Sequence, residues 1–216
     1  VPDSPSDQVV LRLIGYDAAG LSDTSHVTGL SITIVYPIVT EIAPQPGQLT
    51  WRDSQFTIAF SQTMSSIEDE SIVISSGYSS SVIDGAVVSY VDELNTLTID
   101  FTSGFASMDS ITITLQASGI TNIYGYQLDG DGDGEGGDDY TINFTTAMLA
   151  DYDTSGTIDG ADLSFFIQGW QENDYFYELG PVMGDTPYLI SLPDQNYNID
   201  DIMAFILMWN WYLTSG

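Results

Sequence analysis

Twelve consecutive residues constrain this chain more than any others: Asp151-Tyr152-Asp153-Thr154-Ser155-Gly156-Thr157-Ile158-Asp159-Gly160-Ala161-Asp162. Oxygen side chains stand at loop positions 1, 3, 5, 9 and 12 (Asp151, Asp153, Ser155, Asp159 and Asp162), and glycine stands at position 6. Alternate side chains on a tightly curled loop point at one centre, and Gly156 permits the turn that curls it. Thr157, at position 7, adds a backbone carbonyl. Donors of this kind suit a hard cation such as Ca2+, which takes about six to eight oxygens. Leu163-Ser164-Phe165-Phe166-Ile167-Gln168-Gly169-Trp170 follows at once, with apolar residues at helical spacing.

Position 12 is Asp162 where an EF-hand carries a bidentate Glu, and Tyr140–Thr146 upstream alternates like a strand, so no helix enters the loop. A calcium loop that ends in Asp, with a helix after it and none before it, resembles the dockerin module, which carries two loop-helix segments. A second segment is visible. Asp162, Leu163, Phe166, Ile167 and Trp170 recur at an offset of 39 as Asp201, Ile202, Phe205, Ile206 and Trp209. Counting back from Asp201 puts Ile190 and Leu192 where carboxylates belong, leaving Asp194, Asn196, Asn198 and Asp200 as donors, so the second loop reads as degenerate. The competing reading is a common amphipathic core helix that happens to occur twice. The dockerin resemblance implies a fold that needs calcium. It also implies helix faces that engage a cohesin-like partner module, here carrying Phe165, Trp170, Phe205, Trp209 and Trp211.

A second metal candidate precedes the last predicted strand. In Asp129-Gly130-Asp131-Gly132-Asp133-Gly134-Glu135-Gly136-Gly137-Asp138-Asp139, acids alternate with glycines, so carboxylates can converge. Asp129, Asp131, Asp133 and Gly134 match loop positions, but Tyr140 falls at the last one, so Asp138 or Asp139 must close the site. Clustered carboxylates without a cation repel one another. The alternative is a solvated acidic hairpin loop.

Charge narrows the function further. Of 216 residues, 31 are Asp or Glu against two arginines and no lysine, for a formal net charge of −29. That charge repels nucleic acid and anionic membranes. Apolar residues make up 43%, enough for real cores, so this is no disordered acidic tail. Bound calcium or external salt would relieve the self-repulsion, which points to an extracellular or cell-surface setting. The chain has no cysteine, and no apolar run approaches the roughly 20 residues of a membrane span. Val1-Pro2-Asp3 carries no signal peptide, and the chain reads as the C-terminal part of a larger protein.

In chain order, strand-like runs at Val9–Tyr16 and Gly29–Tyr36 flank a turn-rich link that contains Asp17–Asp23 and His26. Residues 1–36 are expected to be the terminal hairpin of a preceding Ig-like or fibronectin-like domain, whose unpaired edges favour self-association. From Pro37 to Ala147, an extended lead-in is followed by short strands at Gln55–Ser61, Ser71–Ser75, Ala86–Tyr90, Thr96–Phe101, Ser110–Leu115 and Tyr140–Thr145. That rhythm predicts an antiparallel sandwich. Pro44-Gln45-Pro46-Gly47, Phe60-Ser61-Gln62-Thr63-Met64, Asn95-Thr96-Leu97-Thr98, Gly119-Ile120-Thr121-Asn122 and Phe144-Thr145-Thr146 resemble bacterial Ig-like modules of surface and secreted proteins. Met64 reads as a core or turn residue. Residues 148–216 form the dockerin-like module, joined without a linker and so expected to pack on the sandwich. Its second helix is apolar nearly all round and must be buried or partnered.

The expected fold class is thus mainly β, an Ig-like antiparallel sandwich with a small C-terminal helical module. His26 has no nucleophile motif near it and no G-x-S-x-G occurs, so catalysis is not expected. Two functions fit. One is an attachment region whose calcium-loaded module docks to a cohesin-type partner, the parent being a polysaccharide-degrading enzyme or a surface protein. The other is a calcium-stiffened stalk of an adhesin or surface-layer protein. Exposure of Phe205, Trp209 and Trp211 separates them: docking needs part of that apolar face accessible, whereas the stalk reading predicts its burial within the chain.

Overall fold

The computed structural model describes residues 12–16, 22–26, 34–49, 55–78, 86–101 and 104–215. The chain divides into two units, Val1–Val35 and Tyr36–Gly216. In the first, β1 (Arg12–Tyr16) and β2 (Ser22–His26) pair antiparallel, from Arg12 opposite His26 to Tyr16 opposite Ser22. This corrects the expected hairpin. β1 pairs with the nearer segment, which had read as a polar link, and His26 stands in a strand rather than a turn. Closing the shorter loop costs less chain entropy, and hairpin loops of two to five residues are common. Most of the strand expected at Gly29–Tyr36 lies outside the described residues, as do Val9–Leu11 and residues 17–21 of the turn; residues 34–36 carry no strand.

The second unit opens with the sandwich. One sheet orders β3 (Val39–Ala43), β5 (Gln55–Phe60), β9 (Thr96–Phe101) and β8 (Ala86–Val91) side by side, all antiparallel. The other orders β4 (Gln48–Leu49), β12 (Tyr140–Thr146), β10 (Ser110–Leu115) and β7 (Ile72–Ser76), with β4 parallel to β12. β6 (Met64–Ile67) and β11 (Ile120–Asn122) form a separate antiparallel pair. Period-two patterning explains the layers, since alternate residues of a strand face one side. Phe56, Ile58, Leu97 and Ile99 of one sheet, and Ile111, Ile113, Ile142 and Phe144 of the other, are buried to within 3% of full enclosure. Phe56 meets Phe144 across the layers with ring centroids 4.9 Å apart. Met64 is a core residue, 3% exposed in β6.

Beyond β12 the chain enters the helical module without a spacer: Met148, Leu149 and Ala150 are buried at once. α1 (Gly160–Glu172) and α2 (Ile199–Ser215) cross through stacked rings of Phe166 and Phe205, 5.4 Å apart. Between them β13 (Val182–Met183) and β14 (Ile190–Ser191) make a short hairpin that reaches the sandwich. Ser107 N–H donates to the Leu189 carbonyl (2.9 Å), Ala106 bridges Ile190, and Tyr78 stacks on Tyr188 at 4.8 Å. Ser107 Oγ also accepts from Leu149 N–H at 2.9 Å. The module is therefore packed on the sandwich, as the missing linker predicts. No helix among the described residues is long and apolar enough to cross a membrane.

Candidate metal centre

The loop before α1 is shaped by its own carboxylates. Asp151, 1% exposed, accepts from Ser155 N–H (3.0 Å) and Gly156 N–H (2.8 Å), curling residues 151–156 around itself. Gly156 takes φ +82°, a conformation that side chains resist. Asp153 accepts from Ser155 N–H at 3.1 Å. The fully buried Asp162 accepts from Tyr152 N–H (2.7 Å) and, across the start of α1, from Asp159 N–H (2.9 Å). The Asp159 carboxylate accepts from Ala161 N–H at 2.7 Å and from the backbone of Asp162, which completes a capping box. Asp162 is thus cap and candidate ligand together.

Asp151, Asp153 and Asp162 each present an oxygen within 4.8 Å of the others. Three carboxylates at that spacing match the oxygen chemistry of a hard divalent cation. Ser155 and Thr157 stand on the same curl with their hydroxyls 2.9 Å apart. Asp159 is not in the converged trio, because its carboxylate is committed to the helix cap. Burial pushes the Asp151 carboxyl above its ordinary value and the Asp162 charge adds to the rise, against the pull of the two N–H donors. The Ser155 hydroxyl holds the Asp153 carboxyl below its ordinary value.

The loop at 129–139 repeats this construction before β12. Asp129, 4% exposed, accepts from Gly132 N–H (2.7 Å) and Gly134 N–H (3.0 Å); Asp131 accepts from Asp133 N–H (3.1 Å), and Asp133 from Glu135 N–H (2.8 Å). Gly134, at φ +94°, stands where Gly156 stands in the first loop. Asp129, Asp131 and Asp133 form the second converged trio. Asp138 bridges Asp129 through the backbone; some burial and the charges of Asp131, Asp133 and Asp129 push its carboxyl upward. Asp139 is directed elsewhere: it accepts from Ala117 N–H at 2.9 Å, on the turn before β11. Asp138 is exposed and outside the trio, but near enough to feel its charges. Glu135 too is exposed and outside the trio.

The second repeat holds a residue that the constant offset hides. Glu178, 1% exposed, accepts from Asp194 N–H (2.7 Å), Gln195 N–H (3.0 Å) and Asn196 N–H (3.3 Å). Burial pushes its carboxyl above the ordinary value. Those bonds copy the ones that Asp151 makes to Ser155 and Gly156. Gln195, at φ +60°, takes the place of Gly156. Asp201 copies Asp162, accepting from Gly180 N–H (2.7 Å) and Asn198 N–H (2.8 Å), and Asn198 copies Asp159 by accepting from Asp200 N–H (2.7 Å). The first position of the second loop is thus Glu178, not Ile190. Residues 180–191, with the β13–β14 hairpin, are inserted between the loop's first two positions and the rest. Leu192 still replaces the third-position carboxylate, and this loop is not among the converged trios of the described residues. The clustering of Gly180, Pro181, Pro187 and Pro193 was the available sign of an insertion.

Of the five aromatics that carried the docking expectation, one is enclosed and four are half-buried. Phe205 is 2% exposed and belongs to the module core. Trp170, Trp209 and Trp211 are half-buried against that core, and Phe165 stacks on Tyr177 at 6.0 Å. Large rings add the most apolar surface to so small a core, so each tryptophan packs part of its ring against it. The accessible apolar face of α2 is instead Ile199 (63% exposed), Met203 (47%), Ile206 (41%), Leu207 (40%) and Leu213 (68%).

Comparison with known proteins places the sandwich. The bacterial Ig-like domain family matches residues 34–146. No curated protein matches the chain. Among solved structures, the N-terminal part of the bacterial S-layer protein SbsC is 14% identical, with a TM-score of 0.37 over 53% of this chain. The chain spans about a quarter of that structure, 24% of its length. CopC from Methylosinus trichosporium OB3b is 12% identical with a TM-score of 0.35, covering 52% of this chain and 94% of its own. PcoC, a methionine-rich copper resistance protein from Escherichia coli, is 11% identical with a TM-score of 0.34, covering 51% and 98%. The family match spans just over half of the chain and coincides with the two-sheet sandwich, so the chain belongs to the bacterial Ig-like domain family.

Proposed function

We propose that this chain is a non-catalytic extracellular attachment region, an Ig-like spacer bearing a calcium-dependent, dockerin-like helical module that docks to a cohesin-type partner. The observation that carries this reading is the convergence of Asp151, Asp153 and Asp162 at the start of α1. Bound there, Ca2+ would supply the positive charge that lets these carboxylates share one centre; Ser155 and the Thr157 carbonyl are placed to complete the donor set. Asp129, Asp131, Asp133 and Asp138 would hold a second ion in the sandwich. Around the split loop, Glu178, Asp194, Asn198 and Asp201 keep the turn closed through backbone N–H bonds. The exposed stripe of α2 supplies an accessible apolar face, which a docking module needs and an internal strut does not.

The stalk reading keeps one observation in its favour. The β13–β14 hairpin fastens the module to the sandwich through Leu189, Ile190 and Tyr188, which suits a stiff rod. Both readings require calcium, and a binding experiment separates them. Calcium titration calorimetry on the whole chain should show saturable binding that Asp151→Ala abolishes at the first loop. Capture of an immobilised cohesin module in excess calcium, lost with chelator and weakened by Met203→Asp and Leu207→Asp, supports docking. Calcium binding with no capture supports the stalk.

A further inference from the structure

The two four-stranded sheets of the sandwich end in four edge strands, and two are blunted against pairing with another chain. β3 carries a bulge between Val39 and Glu41, an exposed Glu41, and Pro44 directly after it. β4 is two residues long. β7 is also uncharged and free of proline, but it is one residue shorter than β8 and its outward Val73 and Ser75 are half-buried. β8 has none of these protections. Its sequence Ala86-Val87-Val88-Ser89-Tyr90-Val91 holds no charge and no proline, and its register with β9 runs unbroken over all six residues. Val87 is 57% exposed and Val91 39%, with Leu94 beyond them at 69%. Among the described residues no strand lies beyond β8. An uncharged, regular, β-prone edge is a template for strand addition, which natural proteins usually block.

We infer that β8 is a self-association edge, pairing antiparallel with β8 of a second copy of this chain about a twofold axis at Ser89. The sequence is self-complementary in that register. Val87 meets the partner's Val91 on the outer face, and Val88 meets the partner's Tyr90 on the inner face. Aliphatic and aromatic cross-strand pairs of this kind stabilise antiparallel ladders. Tyr90 is already fixed, since its hydroxyl accepts from Met64 N–H at 2.9 Å. The acidic residues that follow β8 stay apart from their own symmetry mates. Asp92 lies opposite the partner's Ala86, six residues from its own symmetry mate, or roughly 20 Å along the strand. That exceeds the Debye length of about 8 Å at physiological salt. The overall charge of −29 opposes pairing, and so does Asp84, which this register brings within two residues of the partner's Asp92 and Glu93 in sequence, so salt should strengthen the contact, whereas it would weaken docking to a basic partner. A strand pair this short buries less than the roughly 1,200 Å² of a standard interface, so the dimer is weak and concentration-dependent unless arrayed.

Sedimentation velocity on the whole chain in constant excess calcium tests this over a concentration series, at low ionic strength and at roughly 0.5 M NaCl. The expected result is a reversible dimer favoured by salt. In the double variant Val87→Lys and Val91→Lys, association should fall by about tenfold or more. The lysines reduce the net negative charge, so general electrostatics alone would move association the other way. Ser89→Lys should act in the same direction, and an unchanged sandwich melting temperature in each variant shows that the fold is kept. A chain that stays monomeric throughout, a dimer that salt dissociates, or one that the lysine variants leave intact would overturn the inference.

Discussion

Single carboxylates in this molecule serve as internal hubs for backbone N–H groups before any cation is considered. Asp151 gathers two such donors, Glu178 three and Asp201 three, all from deep within the module. Glu178→Ala therefore strands three N–H groups, and we expect a loss of about 1–3 kcal/mol in the helical module, read by thermal melting. Glu178→Gln, which keeps an acceptor oxygen, should recover part of it. Gly169 offers a contrasting test of close approach. A Cβ there would lie 2.6 Å from Tyr177 Cβ and 2.6 Å from the Tyr197 hydroxyl, so Gly169→Ala should cost about 1–3 kcal/mol through overpacking. Asp151→Ala combines both roles, losing a ligand and two acceptors, and should lower calcium affinity while the sandwich keeps its own transition.

At the scale of elements, the strands of the sandwich were legible because alternation at Gln55–Phe60, Thr96–Phe101 and Ser110–Leu115 is strict and turn residues bound each run. β4, β6 and β11 were not. Each is two to four residues long, and their pairing is set by what lies beside them rather than by periodicity. Both helices were visible from the repeated Asp and aromatic positions. What the repeat could not show was Glu178, because an insertion breaks the offset between it and Asp194. Nor could the spacing of α2 reveal that its large rings pack against the core while several smaller aliphatic residues face out. The hairpin inserted at 180–191 doubles as the fastening to the sandwich. Tyr188→Ala, which removes the 4.8 Å stack on Tyr78, should leave calcium binding intact but separate the melting of sandwich and module, as followed by calorimetry.

For the whole molecule, acidity and calcium act against each other. Asp138, Asp151 and Glu178 all have carboxyls raised above their ordinary values. A raised folded value means that the folded protein binds protons more readily than the unfolded chain does. Without metal, then, these three groups add stability as pH falls through their raised values toward the ordinary 3.8 of Asp and lose it again as pH rises, while Asp153, held low, works against them. With calcium bound the sign reverses, because protons compete with the cation for the same oxygens. Melting temperature against pH from 7 to about 4 should therefore slope in opposite directions with chelator and with calcium.

The central claim is that the helical module is built around calcium, and its own tryptophans report on it. Trp170, Trp209 and Trp211 all pack against the module core. The most direct measurement is a thermal melt followed by tryptophan emission, once in excess calcium and once with chelator. At free calcium about 1,000-fold above the dissociation constant, one site adds roughly 4 kcal/mol, comparable to the whole stability of a small module. We predict a large upward shift in the calcium sample that Asp151→Ala removes. Superimposable melts in calcium and chelator would contradict the account, and the acidic loops would then be hydrogen-bonded turns and nothing more.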